Sequence, residues 1–389
     1  FSESDLLARC EAETADVDAI FHYYASDAPA ATIIGAGLQR YARGGENVRF
    51  INALALLSGT MGRAGGGSYF HLHSLGNFNL EWTKAPGGKR RRAFPMPAVG
   101  REILAADPPV HVIWVNGVNI VNQGPDCHEI ARAFAAVPFK VVVDAFMNDT
   151  AERADLILPA TLMLEQEDVI GSFLHDYVQH VPAVLSPPGE ARSDYWILSE
   201  LGKRLSPPVH LPSPEECFSQ ALDTPLIDGG WERLREHGTL RAKKPDVAYA
   251  GLVFDHADGL ARLPSALHDE PDPAPEYPLR LLTLVRREAI HSQMLPEDQQ
   301  MPPSVWVSPD CPSLDTVDPA KPVDVVSPLG RLRVTLKRLA GLHPGAVVYR
   351  RGDWMKYGGG ANQLVAARLT DIGAGAAFYD QYVRLENGK

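Results

Sequence analysis

The chain has 389 residues, 45% hydrophobic and 22% charged, with a formal net charge of -11. That length suits two domains and that composition is ordinary for globular protein. The acidic balance argues against a nucleic-acid surface, which relies on basic patches, and no run approaches the roughly eighteen apolar residues of a membrane-spanning helix.

In chain order, the start Phe1-Ser-Glu-Ser-Asp-Leu-Leu has no initiator Met and none of the basic and apolar regions of a secretory signal. The chain therefore reads as beginning within a longer one. Ala30–Gly35 is a short β-branched run ending in glycine, and Asn47–Leu57 has apolar residues at helical spacing. Lys89-Arg90-Arg91-Arg92 is a basic cluster, either a solvated loop or a contact for phosphate or an acidic partner. Val110–Val115 predicts a second strand, Glu129–Ala136 a helix, Lys140–Val143 a third strand ending at Asp144, Thr150–Ala154 a short helix and Leu156–Leu158 a fourth strand. Asp194–Leu205 predicts a closing helix. Strands alternating with helices, the strands continuously apolar, predict a Rossmann-like, doubly wound parallel sheet over residues 1–205.

Residues 206–277 are crowded with proline and read as a connection over the surface, with one helix at Pro214–Leu222. Residues 278–389 carry short strands at Leu279–Leu284, Ser304–Val307, Val323–Ser327, Leu332–Leu336 and Ala346–Tyr349, separated by proline and glycine turns. The alternation across Val325–Arg338 is that of half-buried antiparallel strands, and the set predicts a small β-barrel. Cys10, Cys127, Cys217 and Cys311 are far apart, which excludes a zinc ribbon, a CxxC pair or a ferredoxin-type loop; they read as packed thiols.

Ligands of an open parallel sheet sit at the carboxyl ends of its strands. After the first strand comes Gly35-Ala-Gly37-Leu-Gln39-Arg40, either a tight turn or a ligand loop; Arg40 stands where the third glycine of a GxGxxG phosphate cradle would be. After the second come Asn116, Asn119, Asn122 and Gln123, amides that either fill turn positions or recognise a polar heterocycle. Asp144 closes the third strand. It either caps a helix or accepts paired donors from a guanine edge or ribose. In the barrel region Thr283, Arg286, Arg287, His291, Ser292 and Gln293 gather hydroxyls, guanidinium groups and an imidazole able to hold a pyrophosphate.

Taken in order, these blocks resemble the DMSO reductase superfamily of molybdopterin enzymes. They are Ile34–Arg40 with Ser58–Gly67; Trp114–Pro125; Val142-Val-Asp144-Ala-Phe-Met-Asn-Asp-Thr150-Ala-Glu-Arg-Ala-Asp155-Leu-Ile-Leu-Pro159 with Glu165–Glu167; Pro188–Trp196; and Thr283–Gln293 with Asn362-Gln-Leu. The resemblance covers the chain apart from the proline-rich connection. It implies a Rossmann-like domain, lacking part of its N-terminal side, followed by a barrel of double-psi type, together embracing two molybdopterin guanine dinucleotides and a Mo or W ion. By position it implies that Gly35 and Gln39 touch cofactor and that Asn116 and Asn119 hold the pterin dinucleotide. Asp144 with the backbone of Val143 would bind guanine, and Gln166 and Asp194 would complete the nucleotide pocket. Thr283, Arg286, His291, Ser292 and Gln293 would line the second cofactor, and Trp354, Asn362 and Tyr379 would be further barrel contacts.

The pattern also departs from the family. No position matches its iron–sulfur cysteines or its metal ligand, and its Asp-Gly-Asp turn is replaced by Asp318-Pro-Ala-Lys-Pro-Val323. The expected partners are an iron–sulfur electron-transfer subunit and the N-terminal portion of the same enzyme, with any iron–sulfur cluster there. A cytoplasmic or a periplasmic enzyme fits equally. Two-electron oxo or hydride transfer on a small substrate is the expected chemistry, and this segment alone is expected to be inactive. The alternatives are a non-redox tungsten hydratase of the same family and a non-catalytic subunit that binds nucleotide. A nicotinamide-dependent dehydrogenase would require the full GxGxxG that is lacking.

Overall fold

In the computed structural model the described residues are 2–84, 91–270, 273–299 and 301–388. Lys89 and Arg90 of the basic cluster lie outside them. Two helices, α1 (Glu3–Cys10) and α2 (Thr14–Tyr24), precede β1 (Ala31–Ile33), α3 (Gly44–Leu57) and β2 (Gly67–Tyr69). The sequence reading missed α1 and α2. Ser2 and Asp5 form a reciprocal capping box that starts α1.

The next unit runs α4 (Val99–Leu104), β3 (Val112–Asn116), α5 (Ile120–Gln123), α6 (Cys127–Ala136), β4 (Phe139–Asp144) and β5 (Leu156–Pro159). Strands β3, β4 and β5 form a parallel sheet in chain order. Val115, Val142, Ile130 and Phe134 form its core against α5 and α6. The short helix expected over Thr150–Ala154 is a 3₁₀ helix at Ala151–Arg153. The expected single, doubly wound sheet is not what the described residues form. Strand β1 is three residues long, pairs only with β2 as a separate parallel pair, and leaves Ile33 85% exposed. A strand that short offers too few ladder bonds to anchor a larger sheet.

Strands β6 (Asp168–Ile170) and β7 (Tyr177–Val181) follow, then α7 (Asp194–Arg204), α8 (Pro214–Ala221), α9 (Gly230–His237) and β8 (Thr239–Arg241). Here the reading of 206–277 as a surface connection gives way. Strand β8 completes an antiparallel sheet with β7 and β6, and Val178, Leu222, Trp231 and Leu234 bury a core of their own. Proline density concealed this module, because its helix α9 begins at Gly229-Gly230, residues that depress helix propensity.

The C-terminal unit is a closed six-stranded barrel built from β9 (Leu279–Leu284), β10 (Ser304–Val307), β11 (Val323–Val326), β12 (Arg331–Arg338), β13 (Ala346–Arg350) and β14 (Tyr382–Asn387). Pairs β10–β12 and β9–β13 are parallel and the remaining four are antiparallel. Leu281, Val305, Val325, Val334, Val347 and Val383 fill it. Cys127 and Cys311 are packed thiols as expected, whereas Cys10 is exposed. Among the described residues no helix is long and apolar enough to cross a membrane.

Candidate functional site

A cavity of about 370 Å³ opens where the carboxyl ends of β3 and β4 meet the barrel. Asn116, Asn119, Asp144 and Asp194 line it from the sheet side, and Ser292, Gln293 and Trp354 from the barrel side. Strand geometry explains the first group. Asn116 and Asp144 are the last residues of adjacent parallel strands, so their side chains emerge at one edge. Asp194 occupies the first turn of α7, whose N-cap Ser193 accepts from the Trp196 N–H.

Asn116 Nδ2 donates to Asp194 Oδ2 at 3.1 Å, while Asp194 Oδ1 is buried without a hydrogen-bond partner. Asp144 accepts from the Phe146 N–H at 3.1 Å and from Asn148 Nδ2 at 2.8 Å. A carboxylate has about four acceptor positions, so capacity remains on the cavity side. Trp354 Nε1 donates to the Ser292 carbonyl at 2.8 Å, fixing the barrel lip.

Beneath the cavity lies a polar seam that the sequence reading did not foresee. Asp149, 1% exposed, accepts from the backbone N–H groups of Met355 (3.2 Å) and Lys356 (2.8 Å) and from Asn119 Nδ2 (3.3 Å). Asn119 Oδ1 in turn accepts from the Thr150 N–H and hydroxyl at 3.2 and 2.9 Å. Asn122 Nδ2 donates to the Asp353 carbonyl, and Asn362 Nδ2 to the carbonyls of Asn122 and Gln123. Of the two amides expected as cofactor contacts, Asn362 joins barrel to sheet through its Nδ2 while its buried Oδ1 has no partner, and Asn119 braces Asp149 and Thr150 within the sheet unit while bordering the cavity. Gly360 is required here. Its φ is +86°, and a Cβ would come within 2.9 Å of Asn122 Oδ1 and 2.5 Å of Met355 Cγ.

The other expected residues fall outside the cavity. Val143 is fully buried in β4, and its carbonyl accepts from the Gly117 N–H at 2.9 Å. Gln166 stands one side chain behind, accepting from the Thr161 hydroxyl at 2.8 Å. Gly35 and Gln39 line a second cavity of about 290 Å³ beside α3, where a Cβ on Gly35 would meet nothing within 4 Å. Thr283 is fully buried with its hydroxyl lacking a partner. Arg286 Nε donates to the Arg351 carbonyl, and its guanidinium lies 3.6 Å from Asp353. Burial raises the Asp353 carboxyl above its ordinary range, although the Tyr349 hydroxyl and Arg286 pull the other way. His291 has a left-handed φ of 52° and its proton affinity is lowered, first by burial and then by Arg351 and Arg40. Tyr379 packs edge-on against Tyr41 at 5.3 Å. Asn148 and Asp149 lay inside the most specific sequence block. Only their position four and five residues after Asp144 marked them.

Among the described residues no three His, Cys, Asp or Glu side chains gather as a metal-binding group. The arrangement is suited to holding a polar, donor-bearing ligand between two domains.

Residues 16–204 match the family model described as molybdopterin oxidoreductase. The chain is 30% identical over 412 residues to the probable oxidoreductase YyaE of Bacillus subtilis, covering 99% of this chain and 62% of that one. It is 25% identical over 441 residues to the putative dimethyl sulfoxide reductase YnfE of Escherichia coli, covering 92% and 54%. The solved structure of acetylene hydratase from Pelobacter acetylenicus superposes with a TM-score of 0.57 at 20% identity, covering 76% of this chain and 46% of that one. That likeness concerns the fold alone. The chain spans between about half and three-fifths of the length of these curated relatives.

Proposed function

The chain belongs to the molybdopterin oxidoreductase family, and from that premise we propose that its sheet and barrel units bind molybdopterin guanine dinucleotide carrying Mo or W. The oxidoreductase and reductase names of its relatives support a redox enzyme rather than a hydratase. The mixed parallel and antiparallel pairing of the closed barrel supports the double-psi reading. When bound, the metal–pterin group supplies two-electron redox chemistry, and the protein supplies binding, orientation and electrostatics.

The observation that carries the reading is the convergence of Asn116, Asp144 and Asp194 with Ser292, Gln293 and Trp354 on one cavity, with Asp194 Oδ1 buried and lacking a donor. A buried acceptor left unsatisfied is costly, and a ligand donor removes that cost. Guanine presents adjacent ring N–H and amino donors, which suit the carboxylate oxygens of Asp144 at a strand end and Asp194 at a helix start. Asn116 orients Asp194, and Trp354 shields the cavity and fixes Ser292. The partners this reading calls for are the remaining part of a longer enzyme and an iron–sulfur electron-transfer subunit.

Asp144→Ala tests it through guanosine monophosphate binding to this chain by calorimetry. Loss of one charge-assisted acceptor should weaken binding by about tenfold or more. Unchanged affinity would remove Asp144 from the site.

A further inference from the structure

A further cavity of about 580 Å³ shares no lining residue with the cavity between sheet and barrel. One of its walls is α3 with β2 and the loop between them. The other is the segment 247–263 of the proline-rich stretch. The walls are fastened to each other. Arg49 Nη2 on α3 donates to the Leu263 carbonyl at 3.3 Å. The Tyr249 carbonyl lies against Gly62, where φ is +76° and a Cβ would come within 2.5 Å of that oxygen. Small-molecule sites usually enclose about 300–1,000 Å³, and this volume falls among them.

The lining combines two chemistries. Phe70 and His71 stack at 4.2 Å on one wall, and Tyr249 and Phe254 stack at 5.0 Å on the other. His71 stacks further on Phe173 at 5.0 Å. Phe70 and Tyr249 remain 44% and 43% exposed, so ring surface faces the cavity uncovered. The charged lining is arginine alone: among the described residues Arg49, Arg63 and Arg262 border the cavity and no Asp or Glu does, in a chain of net charge -11. Arg262 is paired with Asp258 at 2.6 Å. Arg63 Nη2 donates to the Asp27 carbonyl at 2.8 Å, and neither Arg49 nor Arg63 has a carboxylate partner among the described residues. A guanidinium carries five donors, so one bond to a carbonyl leaves most of its capacity free.

We propose that this cavity binds a planar aromatic carboxylate, with its ring against the two stacked pairs and its carboxylate at the arginine rim. Aromatic faces favour flat, offset partners, and a guanidinium fork matches a carboxylate through two parallel bonds. An aliphatic acid would satisfy the arginines and leave the ring faces unmatched. A neutral arene would cover the rings and gain nothing from the arginines. The inference goes beyond the cofactor reading and does not depend on it, because the two cavities are lined by different residues.

The test titrates this chain with naphthoate at low salt by calorimetry, with naphthamide and cyclohexanecarboxylate as controls for charge and for planarity. Naphthoate should bind saturably and about tenfold or more tighter than either control. Arg49→Gln combined with Arg63→Gln should weaken it about tenfold, as expected for two exposed charge contacts. Phe254→Leu keeps apolar bulk, removes the ring, and should weaken it about threefold or more. Far-ultraviolet circular dichroism excludes unfolding as the cause. No saturable naphthoate binding, an affinity equal to that of naphthamide, or an affinity unchanged in the double arginine variant overturns the proposal. Naphthoate binding without guanosine monophosphate binding supports this site and counts against the function proposed above, so the two failures are distinguishable.

Discussion

The barrel and the parallel-sheet unit meet at one cavity but are stabilised differently. The barrel is closed, so every strand has a partner on both sides, and its interior is a continuous buried cluster from Leu279 to Leu385. The sheet has three strands and a much smaller core, and its edge strand β5 leaves Leu156 43% exposed. A self-sufficient barrel can present irregular loops such as 291–295 and 353–362 without losing its shape. The sheet's strand-end loops depend on the seam, above all on Asp149, for theirs.

The largest test of that contrast is Leu281→Ala in the barrel interior, where the side chain is fully buried. It should cost roughly 2–5 kcal/mol through lost transfer energy and a cavity, read as a lower urea midpoint. A cost under about 1 kcal/mol would mean that the barrel is not the stabilising unit.

Next comes Asp149→Ala, which strands the N–H groups of Met355 and Lys356. Orphaned buried donors cost about 1–3 kcal/mol each before relaxation and water entry. The sharper readout is local. Hydrogen exchange should accelerate at Met355 and Lys356 and around residues 117–123, while β9 and β13 stay protected. Uniform acceleration across the barrel would contradict the seam.

A pH experiment separates the two units differently. Burial raises the Asp353 carboxyl in the folded chain. The folded state then binds more protons than the unfolded state between the ordinary carboxylate value and the raised one. Its contribution to stability is therefore fully present below the unfolded value and is lost as pH rises through the folded value. Asp353→Asn should flatten that decline in urea midpoints measured upward from the ordinary carboxylate range. An identical slope in both proteins would show that another group governs it.

Legibility in the sequence followed the same division. The β3–β5 strand ends were readable, because parallel strands place Asn116 and Asp144 at one edge whatever surrounds them. The seam role of Asn362 was not legible, since an amide facing a heterocycle and one donating to backbone carbonyls across a seam look alike in one dimension. Asp149 acts through Met355 and Lys356, more than 200 positions away, and no local spacing records that. Strand β14 escaped notice, although its pairing with β9 and β11 closes the barrel.

The smallest expected effect is the most discriminating. Leu156→Ala removes the same atoms as Leu281→Ala, but from the half-open edge of β5. With 43% of the residue already in contact with water, less apolar area is lost and solvent fills the gap, so no dry cavity forms. The change should lie below about 1 kcal/mol in urea unfolding of this chain. A loss approaching that of Leu281→Ala would mean that β5 is buried in solution against something further, and that the sheet and barrel differ in what covers them rather than in how they are built.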